Sequence, residues 1–234
     1  MSDPFRVRPS PVALSLGALG ALFVVGYPVA AARALEVWGP RSVGAVVLAL
    51  GSASYALIPR SLPGPASWLR GLPLALPALA VLTGEVRFLQ LVPAAILAIL
   101  CTVFLASLRG GGSILKDAAS ALEPHAPEFI GPYCRKATLA YAALFAAQAA
   151  ALVAVALSPP RQGWVLASSL LVWLPTLAGT AVEFLVRKAW FRNFGRGPLD
   201  QVLRRLLPPE RTAQGRRSLA YIREKRSELG MPPP

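Results

Sequence analysis

The chain has 234 residues, of which 55% are hydrophobic and only 15% charged, against about 25% charged in an ordinary soluble domain. Lys and Arg number 24 and Asp and Glu 11, a net charge of +13, and half of the basic residues fall in 187–234. An apolar body with a basic tail excludes a disordered chain, a disulfide scaffold and a typical cytosolic enzyme, and indicates an integral membrane protein.

A bilayer core of about 30 Å takes roughly 20 apolar residues of helix. Six stretches approach that length, at about 12–32, 42–58, 67–84, 88–108, 137–158 and 163–186. In lipid each backbone polar group must be satisfied within its own segment, so these stretches are expected to be helices. They are continuous and Ala/Leu-rich, without the alternation of a barrel strand. The expected fold is therefore all-α: a polytopic membrane helix bundle of about six spans over 1–194, then a basic tail over 195–234. The first stretch has a basic start and ends in Ala30-Ala31-Ala32, as a signal peptide does. Its length, with Tyr27-Pro28 inside it, favours a retained span. The third becomes long enough only if Trp68 and Leu69 join it and Arg70 reaches to the surface.

With six spans and the N-terminus inside, 20 of the 24 basic residues fall on one side. The positive-inside rule then puts both termini in the cytoplasm. Small residues at four-residue spacing mark close helix contacts. They occur as Ala45, Ala49 and Ala53, as Ala142, Ala146 and Ala150, and as Ala143, Ala147 and Ala151. Among the polar side chains inside spans, Gln90, Gln148 and Glu183 stand out. Lipid makes such groups costly. The glutamines read as bonds between helices or as the lining of a cavity. Glu183 stands four residues before Arg187, which suits an ion pair along the helix.

Between spans four and five, Gly110-Gly111-Gly112 makes a flexible exit, and Ser113 suits the cap of a helix over about 114–122. That helix has one apolar stripe and is expected at the membrane surface. Glu123-Pro124-His125-Ala126-Pro127-Glu128 follows, a turn holding one histidine and two carboxylates. Arg109, Arg135, Lys136, Arg187, Lys188 and Arg192 together form a candidate cluster for an anionic head group or partner at the inner ends of the spans. In the tail, Pro198 opens an amphipathic helix over 198–207, with Leu199, Val202, Leu203, Leu206 and Leu207 on one face. Residues 210–229 read as a second, polar and basic helix. Cys101 and Cys134 are expected at different depths, which argues against a disulfide. Neither the cysteines nor His125 belong to a zinc-ligand cluster. No cofactor is expected. Nucleic acid is not expected either, since the tail offers no folded reader; anionic lipid accounts for its charge.

Four segments carry a resemblance. They are Ser107-Leu108-Arg109 before a surface helix, a Pro-containing turn, Tyr133-x-Arg135-Lys136-x-Thr138 opening a span, and Glu183-Phe184-x-x-Arg187-Lys188-x-x-Phe191-Arg192 closing the last one. Together they resemble a family of uncharacterised bacterial inner-membrane proteins found among enzymes of aryl-polyene (xanthomonadin-type) pigment and fatty-acid-like biosynthesis. The likeness covers about residues 103–206. Gly110-Gly111-Gly112 and the long basic tail depart from it, and the family supplies no catalytic residues to carry over. A shorter likeness, Gly197-Pro198-Leu199-Asp200 with Arg204, resembles the C-terminal motif of multi-span proteins related to acyltransferases. The resemblance implies an inner-membrane accessory protein. It would dock biosynthetic enzymes, an acyl-carrier protein or anionic acyl intermediates at the cytoplasmic face. Whether it is an enzyme stays open. The alternatives are a membrane acyl or glycosyl transferase using Glu183, His125 or Glu128 as base, and a small transporter or flippase with a path past Gln90, Gln148 and Glu183.

Overall fold

The computed structural model describes residues 33–52, 71–122, 127–158, 164–191, 198–228 and 230. These residues are helical, with no strand among them. In chain order the helices are α1 (33–52), α2 (Leu72–Thr83), α3 (Val86–Ser107), α4 (Ile114–Leu122), α5 (Gly131–Leu157), α6 (Trp164–Phe191), α7 (Pro198–Leu206) and α8 (Ala213–Glu228). Three helical stretches are long and apolar enough to cross a membrane: Val86–Ser107, Glu128–Leu157 and Leu166–Phe191. The first expected span and residues 53–70 lie outside the described residues. The 12 residues of α2 rise about 18 Å at ~1.5 Å each.

α2 and α3 form a tight hairpin. Gly84 stops α2 in the left-handed conformation (φ 77°), and its N–H donates to the Ala80 carbonyl. Gly suits this position because a side chain there would be strained. α1 packs across the hairpin, and Val43, Ala80 and Leu89 form the buried contact. A side chain at Gly44 would put its Cβ 3.1 Å from the Pro77 carbonyl oxygen. The close approach in α1 therefore runs through Gly44, whereas Ala45 and Ala49 lie on the exposed side.

The central helix is α5. Its buried residues are Cys134, Thr138, Ala142, Phe145, Gln148, Leu152 and Ala156, a stripe at steps of three or four that one helical face requires. α3 packs along this stripe, with Ala94 and Leu97 against Phe145 and Leu152. Phe104 meets Phe145 edge to face at 5.3 Å. Of the expected alanine ridges only Ala142 is buried; Ala143, Ala146, Ala147 and Ala150 are exposed. At the end of α3 the chain turns on Ser107, whose hydroxyl accepts from the Ile114 N–H at 3.1 Å. Ser113 caps α4 by accepting from the Lys116 N–H at 3.1 Å.

α6 carries Pro175 in its interior. Proline has no N–H, so the carbonyl four residues earlier, at Leu171, loses its helical donor. In an apolar surrounding that loss must be met from a neighbouring helix. Gln148 of α5 meets it. Its side-chain amide donates to the Leu171 carbonyl at 3.0 Å and to the Val172 carbonyl at 2.8 Å. It also lies 3.1 Å from the Thr176 hydroxyl, within reach of a third bond. One glutamine thus joins two helices at the bend of one of them. Gln148→Leu is expected to lower stability by about 1–2 kcal/mol. The loss should shrink by half or more in a Pro175→Ala background, where residue 175 regains an N–H for Leu171. A double-mutant cycle on detergent-extracted protein, followed by thermal unfolding, reads this; strictly additive effects would contradict the pairing.

Candidate functional site

At the end that carries Tyr133 and Trp190, faces of α5 and α6 and the first turns of α8 line a common groove. Its volume is about 690 Å³, within the ~300–1,000 Å³ common for small-molecule sites. From α5 it takes Tyr133, Lys136, Ala137, Ala140, Tyr141 and Leu144; from α6 it takes Gly179, Val182, Glu183, Val186 and Trp190. Both sets recur at helical spacing, so each is one face of its helix. Tyr133 to Leu144, like Gly179 to Trp190, advances about 16 Å along the axis. The deep part is apolar, and a Cβ on Gly179 would meet Leu144 at 3.0 Å. The mouth is polar, with Tyr133, Lys136, Glu183, Gln214 and Arg217.

Hydrogen bonds bridge the groove walls. The Tyr133 hydroxyl lies 3.0 Å from Glu183 Oε1 and 3.2 Å from the Glu183 carbonyl oxygen, and donates to them. Arg187 Nε stands 3.6 Å from the same carboxylate oxygen, the i,i+4 pair expected along the helix. Glu183 is thus engaged by a phenol and a guanidinium at once. Deeper in, the Tyr141 hydroxyl lies 3.3 Å from that of Thr180.

The expected cation cluster divides. Arg187 pairs with Glu183. Lys188 pairs with Asp200 of α7 at 2.8 Å and so ties α7 to the end of α6. Arg109 and Arg135 are exposed and do not line the groove. Arg192 and His125 lie outside the described residues. Lys136 lines the groove and has no ion pair among the described residues. Of the expected intramembrane polar trio, Glu183 lines the groove, while Gln90 and Gln148 are buried elsewhere in the bundle.

Arg217 and Gln214 join the site from the tail. Thr212 caps the start of α8, its hydroxyl accepting from the Gly215 N–H at 3.1 Å. It is held to the bundle through Phe129, in the short turn before α5. The Arg217 guanidinium stacks 4.9 Å above the Phe129 ring, and Tyr221 meets that ring edge-on at 5.9 Å. Phe191, at the end of α6, packs on Phe129 at 6.3 Å and edge-on to Tyr133 at 5.2 Å. Four rings and one guanidinium thus seat a basic helix at the groove mouth. In sequence the signal is Gln214, Arg217 and Tyr221 at i, i+3 and i+7, one face of a helix otherwise read as solvated.

Comparison with protein-family models, curated proteins and solved structures finds no match.

The latch has a direct test. Phe129→Ala removes an edge-to-face contact of about 0.5–1.5 kcal/mol and a cation–π contact of about 0.5–1 kcal/mol. Amide exchange across 213–228 should then speed up roughly tenfold, while α3 and α5 keep their protection. Unchanged exchange in α8 would show that other contacts hold it.

Proposed function

We propose that the protein is an accessory component of the bacterial inner membrane that docks an enzyme or carrier delivering acyl intermediates at the cytoplasmic face. On this reading it has six spans and both termini in the cytoplasm. Its setting is acyl-chain, polyene or lipid biosynthesis, as the resemblance over about 103–206 implies. The observation that carries the reading is the seating of basic α8 beside the mouth of an apolar groove. α8 holds five basic and two acidic residues, all outside the expected spans. A cationic helix next to an apolar slot suits a partner that is acidic outside and carries an acyl chain, as an acyl-carrier protein does. Complementary charge of this kind speeds encounter and weakens with salt.

The transferase reading has less support. Glu183, its best-placed base, is engaged by Tyr133 and Arg187, and Glu128 is exposed outside the groove lining. A path through the bundle has less support still, because Gln148 is committed to the carbonyls of α6.

The docking reading is tested with purified acyl-carrier protein and the detergent-solubilised membrane protein. Arg211 and Arg223 are both exposed. The double reversal Arg211→Glu, Arg223→Glu should weaken binding at least tenfold, and higher salt should weaken the unaltered pair. Absence of binding, or a deletion strain with unchanged lipids and pigments, would end this reading.

A further inference from the structure

We propose that the groove between α5 and α6 is a binding site for an acidic phospholipid of the cytoplasmic leaflet. One acyl chain would lie in the slot, and the phosphate would sit between Lys136 and Arg217. The inference rests on the reading that this end of the bundle faces the cytoplasm, and it goes beyond docking by naming what fills the groove.

Three features of the site point to this occupant. The first is length. The groove runs about 16 Å along both helices, close to half of a bilayer core of about 30 Å, so it matches the depth of one leaflet. The second is access. Ala140, Val182, Val186 and Trp190 line the groove yet are exposed, so the slot opens sideways along the helices. A molecule dissolved in the leaflet can slide in without leaving the lipid. A water-soluble ligand would have to enter through the mouth, which α8 covers in part. The third is charge. Among the groove-lining residues, Glu183 holds the sole carboxylate, and Arg187 and Tyr133 already engage it. Lys136 and Arg217 line the same mouth from two different helices, and neither has an ion pair among the described residues. Basic pockets between membrane helices on the cytoplasmic side suit anionic head groups, and a phosphate has enough oxygens to meet both cations. Trp190 lines the groove close to the end of α6, and an indole suits the headgroup level of a bilayer.

The site also accounts for the double position of Arg217. Its guanidinium stacks on Phe129 while it borders the groove, so a bound phosphate would add to the contacts that hold α8 in place.

The test uses the full-length protein in bilayer nanodiscs, with phosphatidylglycerol carrying a photoactivatable diazirine mid-chain. Cross-linked peptides are mapped by mass spectrometry. Labelling should concentrate on the peptides holding Ala140, Leu144 and Val182. It should fall at least fivefold in Lys136→Gln, Arg217→Gln, while labelling of exposed Leu100 and Leu166 stays constant as an internal control for fold and insertion. Ala140→Trp fills the slot from its open side and leaves both cations in place. It should remove chain labelling to a similar extent. The same diazirine chain on phosphatidylcholine should not enrich the groove. Equal labelling by the two lipids, insensitivity to loss of the two cations, or preference for a diazirine fatty acid over the phospholipid would each overturn the proposal. None of these readouts involves a carrier protein, so failure of the docking reading and failure of the lipid site are seen separately.

Discussion

The register of the bundle depends on one buried polar bond set, the donation from Gln148 to the backbone of α6. Pro175 frees the Leu171 carbonyl, and a free carbonyl away from water costs several times what a packing contact returns. Gln148 reaches it from α5, which restricts both the rotation and the axial offset of α5 against α6. Further contacts then follow down the antiparallel pair toward the Tyr133 end. Leu144 faces Gly179, Tyr141 reaches Thr180, and Tyr133 reaches Glu183. The groove runs along this ladder and is lined by both helices. Glu183 therefore serves the architecture first: its carboxylate closes the last rung.

The neighbouring part of the same α5 face, toward α3, follows another rule. Without a hydrophobic driving force between helices in lipid, association relies on fit. α3 supplies it with Ala94, Ala95 and Leu97, and α5 with Ala142, Phe145 and Leu152. One face of α5 is thus held by two kinds of physics, packing toward α3 and, toward α6, polar bonding beside packing of Leu171 and Val172. The tail follows a third. α7 is tied by the Lys188–Asp200 ion pair, and α8 by aromatic rings at the bundle end.

Much of the local structure is legible in the sequence. Ser113 marks the start of α4, Pro198 that of α7, and Glu183 and Arg187 their i,i+4 pair. Of the two roles open to Gln148 in the sequence, a bond between helices or the lining of a cavity, its bonds to the Leu171 and Val172 carbonyls are of the first kind. What stays hidden is rotation. α5 is rich in alanine on every side, so two ridges compete, and the buried stripe uses only Ala142 from them. The choice is made by Phe145 and Gln148, whose partners lie on other helices. The cations show the same limit. Arg135, Lys136, Arg187 and Lys188 are close in sequence to span ends, yet partners such as Asp200 divide them. Arg217 borders the groove while stacking on Phe129, nearly ninety positions earlier in the chain. α5 begins at Gly131 and α6 continues to Phe191, past the expected span limits, because basic and aromatic residues end an apolar run without ending a helix.

The side of the membrane that the groove mouth and its basic helix occupy decides between a cytoplasmic docking face and an external one. Arg223, exposed on α8, can be replaced by cysteine and probed with a membrane-impermeant maleimide, since native Cys134 is buried and Cys101 lies within α3. The thiol at position 223 should react in inverted membrane vesicles and stay unlabelled in intact spheroplasts. Labelling in intact spheroplasts, or recovery of the protein in the soluble fraction after carbonate washing, would contradict the account.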